Sequence, residues 1–287
     1  MSIGYSVKSA LKDLRWQARR WQVALRWGAD TLAQTPSVLG NAMPKSGSHL
    51  IIQVLQGLTQ IGPFVNPGLP PVNRSEDNAK LNDQEILHNL KRMRSGDIAY
   101  GYVHAVEPFV SLLSQPRRAM AFVYRDPRDM IISHVFYATQ IHLEHGMHDY
   151  YTRKLNDMEE RIHAAIQGVD EPDARLSNIR QKYLNYLGWL DTPGVLCLRF
   201  EDLILNREQA LNELLDYLEG RGFKPQVNRE EALQSLTQAI LPKKSGTFRK
   251  AQPGNWREYF TDSNKAAFKA VAGDILIHLG YEQDENW

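Results

Sequence analysis

The sequence predicts an α/β protein in which helices flank a central parallel β-sheet. Short apolar segments, typical of buried strands, alternate along the chain with segments of helical periodicity. The clearest strand, 119–124, is apolar on both faces and runs into a polar cluster. Open α/β sheets bind ligands at such strand ends. Strands are predicted at 37–43, 98–103, 119–124 and 195–200.

The segments between these strands are predicted to be helices and loops. Pro and Gly mark residues 62–71 as a loop, and residues 140–190 are predicted to be largely helical. A polar loop within the second segment contains His142, His145 and His148. Without carboxylates in a defined pattern these histidines indicate a lid near the substrate, and we expect no metal site. Further helices are predicted at 6–33, 50–58, 83–93, 107–113, 130–137, 207–218 and 264–279.

Length and charge balance are those of a globular protein that does not bind nucleic acid. The 287 residues allow one large α/β domain, which we place at residues 35–287 after an N-terminal helix within residues 1–34. The 34 Lys and Arg residues balance 33 Asp and Glu residues, so we expect no nucleic-acid partner.

The single cysteine, Cys197, excludes an intrachain disulfide and a multi-cysteine zinc site, which fits a reducing compartment. No stretch has the length and composition of a membrane span, and no cleavable signal pattern is present. We therefore expect a cytoplasmic enzyme.

The N-terminal helix is basic and amphipathic. Arg and Lys dominate its charges, and tryptophans, including Trp16 and Trp21, supply apolar surface. Such a helix can lie on an anionic membrane or dock a partner. It can also pack against its own domain with the arginines in water. We favour this second interpretation because the two tryptophans do not share one clean stripe with Leu11 and Leu14.

The stretch from Ser37 to Leu55 combines an apolar strand, a tight polar turn and a helical pattern. A strand that enters a helix through such a turn directs unpaired N–H groups and the helix dipole at one spot, which favours phosphate binding. Lys45 adds a positive charge, although an ordinary turn with an incidental lysine fits this stretch alone equally well. The turn consists of Pro44, Lys45, Ser46, Gly47, Ser48 and His49.

The residue order in this turn differs from the Walker A motif of ATP-binding P-loops. Walker A places its lysine after the last glycine, whereas Lys45 precedes Gly47. A lysine in this position sits near the entrance of the turn. Asp126 and Asp129 leave open a magnesium ligand of the Walker B kind.

A second candidate anion site follows the clearest strand. Arg125 ends that strand, and Ser133 lies eight positions later in the early turns of the next helix. Such a pair can grip one phosphate from two directions. Arg249 and Lys250 form a further basic cluster. A ligand with two separated phosphates would use the turn at Lys45 and this second site.

Together these motifs resemble the PAPS-dependent sulfotransferase family, in particular its cytosolic branch, whose sulfonate donor is 3′-phosphoadenosine 5′-phosphosulfate (PAPS). The order of four motifs carries the resemblance, since each alone is weak. They are Pro44–His49, similar to the 5′-phosphosulfate loop; Tyr124–Asp129 with Ser133, similar to the 3′-phosphate motif; Phe200–Leu203, similar to the adenine-placing segment; and Phe248–Lys250 followed by Gly254–Trp256 and Phe260–Thr261, similar to the closing motif.

The resemblance implies a P-loop NTPase-like sulfotransferase fold, PAPS as donor, PAP as product and a small-molecule hydroxyl acceptor. His104, alone more typical of a core residue, matches the family's catalytic histidine and is implied to be the general base. Lys45 is implied to stabilise the leaving phosphate, and Ser133 to restrain Lys45. The implied cofactor-binding residues are Lys45, Ser46, Gly47, Ser48, His49, Arg125, Ser133, Phe200, Phe248, Arg249 and Lys250.

Several positions depart from the family's pattern. Tyr102 stands where a lysine often precedes the catalytic histidine by two residues. Leu50 stands where an aromatic residue commonly follows the loop, so adenine stacking is expected to depend on the two phenylalanines of the cofactor set. Ala251 replaces the usual glycine after Arg-Lys, and the family's C-terminal dimer motif is not reproduced near Thr261, so we do not expect that dimer.

The sequence is also compatible with two other classes of function. A nucleotide-dependent kinase would use the same strand, turn and helix as an ATP site. A peripheral membrane or docking protein would act through the N-terminal helix, and its nucleotide site would be vestigial. The sequence does not identify the acceptor, whose pocket is expected from residues 136–151, parts of 64–72 and the region near Leu241.

Overall fold

The computed structural model describes residues 3–241 and 252–287, with side chains from residue 11 onward. The chain divides into two compact units. Unit 1 comprises Met1–Tyr124 and Gly188–Pro242, and unit 2 comprises Arg125–Leu187 and Lys243–Trp287.

Helices and strands alternate along the described residues. The strands are β1 (Ser37–Ala42), β2 (Ile98–Gly101), β3 (Arg118–Tyr124), β4 (Val169–Glu171), β5 (Ala174–Leu176) and β6 (Leu196–Arg199). The α-helices are α1 (Ile3–Trp27), α2 (Ala29–Gln34), α3 (Ser48–Ile61), α4 (Asp83–Arg92), α5 (Phe109–Leu113), α6 (Pro127–Phe136), α7 (Met158–Gln167), α8 (Ile179–Leu187), α9 (Phe200–Leu205), α10 (Arg207–Gly220), α11 (Arg229–Ala239) and α12 (Asp262–His278). Two π-helical turns lie at Tyr137–Ile141 and Tyr150–Lys154, and a 3₁₀ turn lies at Asn255–Glu258.

Unit 1 contains a four-stranded parallel sheet in the order β2-β1-β3-β6. Every residue of the inner strand β1 is buried, which explains its lack of charge. The chain leaves β1 for β2 on one side and then crosses to β3 on the other. In open α/β sheets, ligands bind outside the carboxyl ends of the strands at such a reversal. The segments that follow β1 and β2 both emerge at this edge.

The helix α3 packs closely against β1 because residue 40 is glycine. A Cβ atom on Gly40 would lie 2.7 Å from Cγ1 of Ile51 and 2.8 Å from Cδ1 of Leu55. This contact holds the helix that begins at the Lys45 turn directly against an inner strand of the sheet.

Unit 2 is stabilised by an arginine between aromatic rings. The buried guanidinium of Arg128, on α6, lies 3.9 Å from the ring centroid of Trp256 and 4.4 Å from that of Trp287. Its Nη2 pairs with Asp126 at 2.8 Å and its Nη1 with Glu282 at 2.5 Å. The two carboxylates and two rings offset the cost of burying the charge and join α6 to the end of the chain.

The structure confirms the four predicted strands and their parallel arrangement. It differs in three other elements. The helix predicted over 6–33 is interrupted at Gly28, whose φ of 93° separates α1 from α2. Residues 169–176 form an antiparallel hairpin instead of helix, with Pro172 at its turn. The sequence pattern does not predict α11, because only Ala232 and Leu236 of that helix are buried.

Candidate active site

The turn after β1 presents a helix N-terminus without a side-chain cap. Lys45 and Gly47 take left-handed backbone conformations, with φ of 68° and 102°. The N–H of Ser46 donates to the carbonyl of Met43 at 3.1 Å, and α3 then begins at Ser48. Because the N-cap residue Gly47 has no side-chain acceptor, the first N–H groups of α3 and its dipole favour an external anion.

Ser46 adds a buried hydroxyl to this turn. Its side chain is fully buried, and its Oγ makes no hydrogen bond within the part of the chain that the structure describes. A buried polar atom without a partner is costly, and native structures rarely leave one unexplained. An anionic oxygen seated on the turn would satisfy it. The donor set of the turn therefore fits a phosphate or phosphosulfate group.

Phe200, the first residue of α9, supports the turn. A Cβ atom on Gly47 would lie 2.7 Å from Cδ2 of Phe200, so the buried ring is in close contact with the glycine. Glycine is required here both by the positive φ and by this contact. Phe200 thus contacts the turn, while its expected contact with adenine stays a prediction.

His49 places an imidazole close to the charge of Lys45. Loss of solvation lowers the pKa of His49, and the positive charge of Lys45 lowers it further. Both causes favour a neutral ring at neutral pH. A bound anion would act in the opposite direction by favouring the imidazolium form.

Val103, the residue before His104, is held by hydrogen bonds from two buried side chains. Asn41, on β1, accepts a hydrogen bond from the Val103 N–H at 2.8 Å and donates to the Val103 carbonyl at 2.9 Å. The indole N–H of Trp189 donates to the same carbonyl at 2.8 Å. Asn41 and Trp189 are both fully buried. The residue before His104 is therefore fixed to the same strand that ends at the Lys45 turn.

The imidazole of His104 is accessible and has a lowered pKa. Its partial desolvation lowers the pKa, the carboxylate of Asp83 raises it, and the charge of Lys80 lowers it again. The net effect favours neutral imidazole at neutral pH. A neutral imidazole that reaches solvent can accept a proton from a bound hydroxyl. These properties suit a general base.

In unit 2, Arg125 and Ser133 lie on either side of the start of α6. Arg125 is buried, and its Nη2 lies 3.7 Å from Oδ2 of Asp129. The hydroxyl of Tyr183 donates to the Arg125 carbonyl at 2.8 Å. Ser133 is half-buried on α6. The predicted arrangement, an arginine before the helix and a serine on it, is present.

Asp129 connects α6 to the segment around Gly254. Its carboxylate accepts hydrogen bonds from the N–H groups of Gly254 and Trp256, both at 2.8 Å. Burial raises the pKa of this carboxyl, whereas the nearby Arg125 lowers it. One carboxylate thus holds the second half of the closing motif and lies beside the predicted 3′-phosphate arginine.

The predicted site residues fall into three groups. Unit 1 contains the Lys45 turn, His104 and Phe200. Unit 2 contains Arg125 and Ser133. The predicted residues Phe248, Arg249 and Lys250 lie outside the described residues.

Sequence reasoning missed Asn41 and Trp189, and it considered Asp129 as a possible magnesium ligand and as part of the Tyr124–Asp129 motif but not as a partner of the Gly254 segment. An asparagine inside an otherwise apolar strand is the one signal that could have identified Asn41, because a fully buried amide needs partners. Trp189 has the pattern of a core residue, and no spacing rule relates Asp129 to Gly254. Within the described residues, no group of three or more His, Cys, Asp or Glu side chains is arranged to hold a metal ion.

A cavity of about 1270 Å³ lies in unit 1 beside β2. The loop between α3 and α4 lines part of this cavity. Within that loop, the side chain of Asn73 accepts a hydrogen bond from the Tyr102 N–H at 3.1 Å, which fixes the loop to the segment leading to His104. Leu81 and Asn82 line the cavity and lie between Lys80 and Asp83, whose charges act on His104. Other lining residues come from α1, α3, the loop, α4 and β2, including Trp16, Leu55, Leu69, Val72, His88 and Tyr100.

Comparisons with known proteins agree with this architecture. A family model described as the sulfotransferase domain matches residues 36–279. The chain is similar in structure to mouse sulfotransferase SULT7A1 complexed with PAP, with a TM-score of 0.58 and 15% identity over 86% of this chain and 88% of that one. No curated protein sequence gives a significant match.

Two structures of retinol dehydratase are also similar. One, in complex with androsterone and the inactive cofactor PAP, has a TM-score of 0.53 and 13% identity over 86% of this chain and 83% of that one. The other, in a complex with retinol and PAP, has a TM-score of 0.50 and 14% identity over 86% and 84%. These similarities confirm the predicted fold class, a single α/β domain with a central parallel sheet.

Proposed function

The chain belongs to the sulfotransferase family, and we propose that it transfers a sulfonate group from PAPS to a hydroxyl of a small-molecule acceptor. The observation that carries this proposal is the Lys45 turn and His104 at the same edge of one parallel sheet. The turn fits the anionic end of the donor, and the accessible imidazole fits the acceptor's proton. The solved structures above contain PAP, which is what PAPS becomes after sulfonate transfer.

His104 acts as the general base in this proposal. Its lowered pKa keeps the ring ready to accept a proton at neutral pH. The acceptor oxygen forms a bond to sulfur while the bond from sulfur to the 5′-phosphate oxygen of PAPS breaks. The bonding electrons go to that phosphate oxygen, and the acceptor's proton goes to His104. The products are a sulfate ester, PAP and one proton.

Lys45 and the N–H groups of residues 47–49 stabilise the charge that develops on the departing phosphate oxygen, whereas the N–H of Ser46 is already bonded to the Met43 carbonyl. The uncapped start of α3 and the buried Ser46 hydroxyl support this role. A transferring sulfuryl group carries less negative charge than a phosphoryl group, so a lysine and backbone dipoles suffice.

The remaining predicted residues are proposed to bind the rest of the donor. Arg125 and Ser133 contact the 3′-phosphate, together with Arg249 and Lys250. Two aromatic residues, Phe200 and Phe248, contact the adenine. The hydrogen bonds from Gly254 and Trp256 to Asp129 support this assignment, because they hold the segment that follows the two basic residues.

The cavity beside β2 is the proposed acceptor site. It shares residues 66–70 and Val72 with the pocket expected from sequence and adds walls from α1 and α4. Pockets of about 300–1,000 Å³ enclose drug-sized ligands, so its 1270 Å³ favours an acceptor larger than a simple phenol. We also propose that the reaction takes place in the cytoplasm, where the single Cys197 would stay reduced.

Calorimetric titration of the purified chain with PAP, and separately with ATP and magnesium, tests the proposal. We expect PAP to bind, and binding to be lost in Arg125→Ala but kept in Arg175→Ala, a control whose side chain is 81% exposed on β5. Thermal unfolding of each variant separates lost binding from lost folding. Preference for ATP with magnesium would instead support a kinase, and absence of both would contradict a nucleotide site.

A further inference from the structure

The helix α1 carries an apolar stripe that faces solvent. Leu11 is 48% exposed, Leu14 65%, Trp21 70% and Leu25 81%. Together with Ala18, these residues are spaced alternately by three and four positions, so they share one face of the helix. Single exposed leucines are common on protein surfaces, but a continuous stripe that includes a tryptophan requires an explanation.

The opposite face of α1 packs against the rest of unit 1. Trp16 is buried, and its indole N–H donates to Asp97 Oδ1 at 3.1 Å. The Nη1 of Arg20 lies 2.7 Å from the same oxygen and 2.9 Å from the Ser95 carbonyl. Rotating the stripe inward would leave the buried carboxylate of Asp97 without these donors, at a large cost. Trp16 and Trp21 thus lie on different faces, and Trp21 shares its face with Leu11 and Leu14.

The charges beside the stripe are positive. Arg15 and Arg26 are exposed and neighbour it, and the sequence has no Asp or Glu from residue 14 to residue 29. Leucines and a tryptophan flanked by arginines are the composition of helices that lie in the interface of an anionic membrane. None of the helices in residues 3–241 and 252–287 is long and apolar enough to cross a bilayer.

A second copy of the chain is the other occupant to consider. The spacing of three and four residues is that of a coiled-coil seam. Pairing two copies along this stripe would, however, bring arginines together without acidic partners. An anionic lipid surface satisfies both the apolar side chains and the arginines.

We propose that α1 docks the protein onto an anionic lipid surface. The leucines and Trp21 enter the boundary between headgroups and acyl chains, while Arg15 and Arg26 remain at the level of the lipid phosphates. The opposite face of the same helix lines the cavity beside β2 through Lys12, Asp13 and Trp16. The docking surface is independent of the nucleotide turn, so it does not depend on the proposed function.

Co-sedimentation of the full chain with lipid vesicles tests this proposal. We expect binding to phosphatidylcholine vesicles that contain phosphatidylglycerol, little binding to phosphatidylcholine alone, and weaker binding in high salt. The variant L14S/W21S/L25S should bind at least about tenfold more weakly, because it loses most of the apolar surface that is buried on docking. The control L184S/L205S, which removes leucines that are 51% and 66% exposed on α8 and α9, should bind like the unmodified chain.

A second variant, R15Q/R26Q, tests the charges without touching the apolar stripe. It should lose the preference for vesicles that contain phosphatidylglycerol. If the triple variant fails to fold, this measurement alone tests whether α1 binds anionic lipid. Failure of the unmodified chain to bind anionic vesicles would overturn the proposal, as would equal binding by R15Q/R26Q. A dimer detected by light scattering and abolished in the triple variant would assign the stripe to a second copy instead.

Discussion

Asn41 and Val103 satisfy each other's hydrogen bonds across the edge of the sheet. The Asn41 side chain accepts from the Val103 N–H at 2.8 Å and donates to its carbonyl at 2.9 Å. Asn41 lies near the end of β1, and Val103 immediately precedes His104. One buried amide therefore fixes the segment carrying the candidate base to the strand that leads into the phosphate turn.

Replacing Asn41 by Ala should reduce both stability and rate. It removes two buried hydrogen bonds, so the free energy of unfolding should fall by about 1–3 kcal/mol. The kcat should also fall, with PAP affinity nearly unchanged, because the backbone before His104 keeps only the hydrogen bond from Trp189. Urea denaturation, calorimetry and a sulfonate-transfer assay measure the three quantities.

Asn212→Ala is the matched control for this prediction. Asn212 accepts a hydrogen bond from Nε of Arg229 at 2.8 Å on α10, away from the sheet edge. It should lose stability without losing kcat per folded molecule. If both variants had the same effect on kcat, Asn41 would contribute to stability only and would not position His104.

Gly47→Ala should disable the turn. The added methyl group must tolerate a φ of 102° and a contact 2.7 Å from Phe200. The left-handed conformation alone costs about 1–2 kcal/mol, so we expect lower thermal stability and a large loss of PAP affinity. Gly220→Ala, where an added Cβ meets nothing within 4 Å, should change neither quantity. Normal PAP binding by Gly47→Ala would contradict the proposed role of the turn.

His49 should make PAP binding dependent on pH. Desolvation and Lys45 lower the pKa of His49 in the free protein, whereas a bound phosphate would raise it. Binding should therefore take up a proton and become tighter as pH falls from 8 to 6. Calorimetry in buffers of different ionisation enthalpy measures this uptake. His49→Asn should flatten the dependence, and an unchanged profile in that variant would assign the proton to another group.

Asp129→Asn should loosen the segment that begins at Gly254. An amide oxygen cannot accept both N–H groups as strongly as the carboxylate, and its NH₂ group would face the donors. We expect a loss of about 1–3 kcal/mol in stability and weaker PAP binding. Asp274→Asn, which breaks an exposed pair with Arg180, is the control and should leave PAP affinity intact.

The fold and the outline of the site could be predicted from sequence because their signals are local. Four apolar strands, the Gly-containing turn before α3 and the arginine at the end of β3 are each visible within a few residues. Parallel topology then follows from the intervening helices, and it brings the ends of β1 and β2 to one edge.

The supporting contacts could not be predicted because they join residues far apart in the chain. Asn41 and Val103 are 62 positions apart, and Asp129 and Gly254 are 125 apart. No periodicity connects such pairs. The burial of Trp16 is another such case, because it packs against Leu32 and Val65 and donates a hydrogen bond to Asp97, all distant in the chain.

The central claim, sulfonate transfer from PAPS with His104 as base, is tested most directly by one assay. Radiolabelled PAPS is incubated with a panel of hydroxyl acceptors and with the unmodified chain, His104→Gln or the exposed control His163→Gln. We predict transfer by the unmodified chain and the control, and a rate reduced about 10²- to 10⁴-fold in His104→Gln with PAP affinity preserved. Transfer by His104→Gln at the unmodified rate would contradict the assignment of the base.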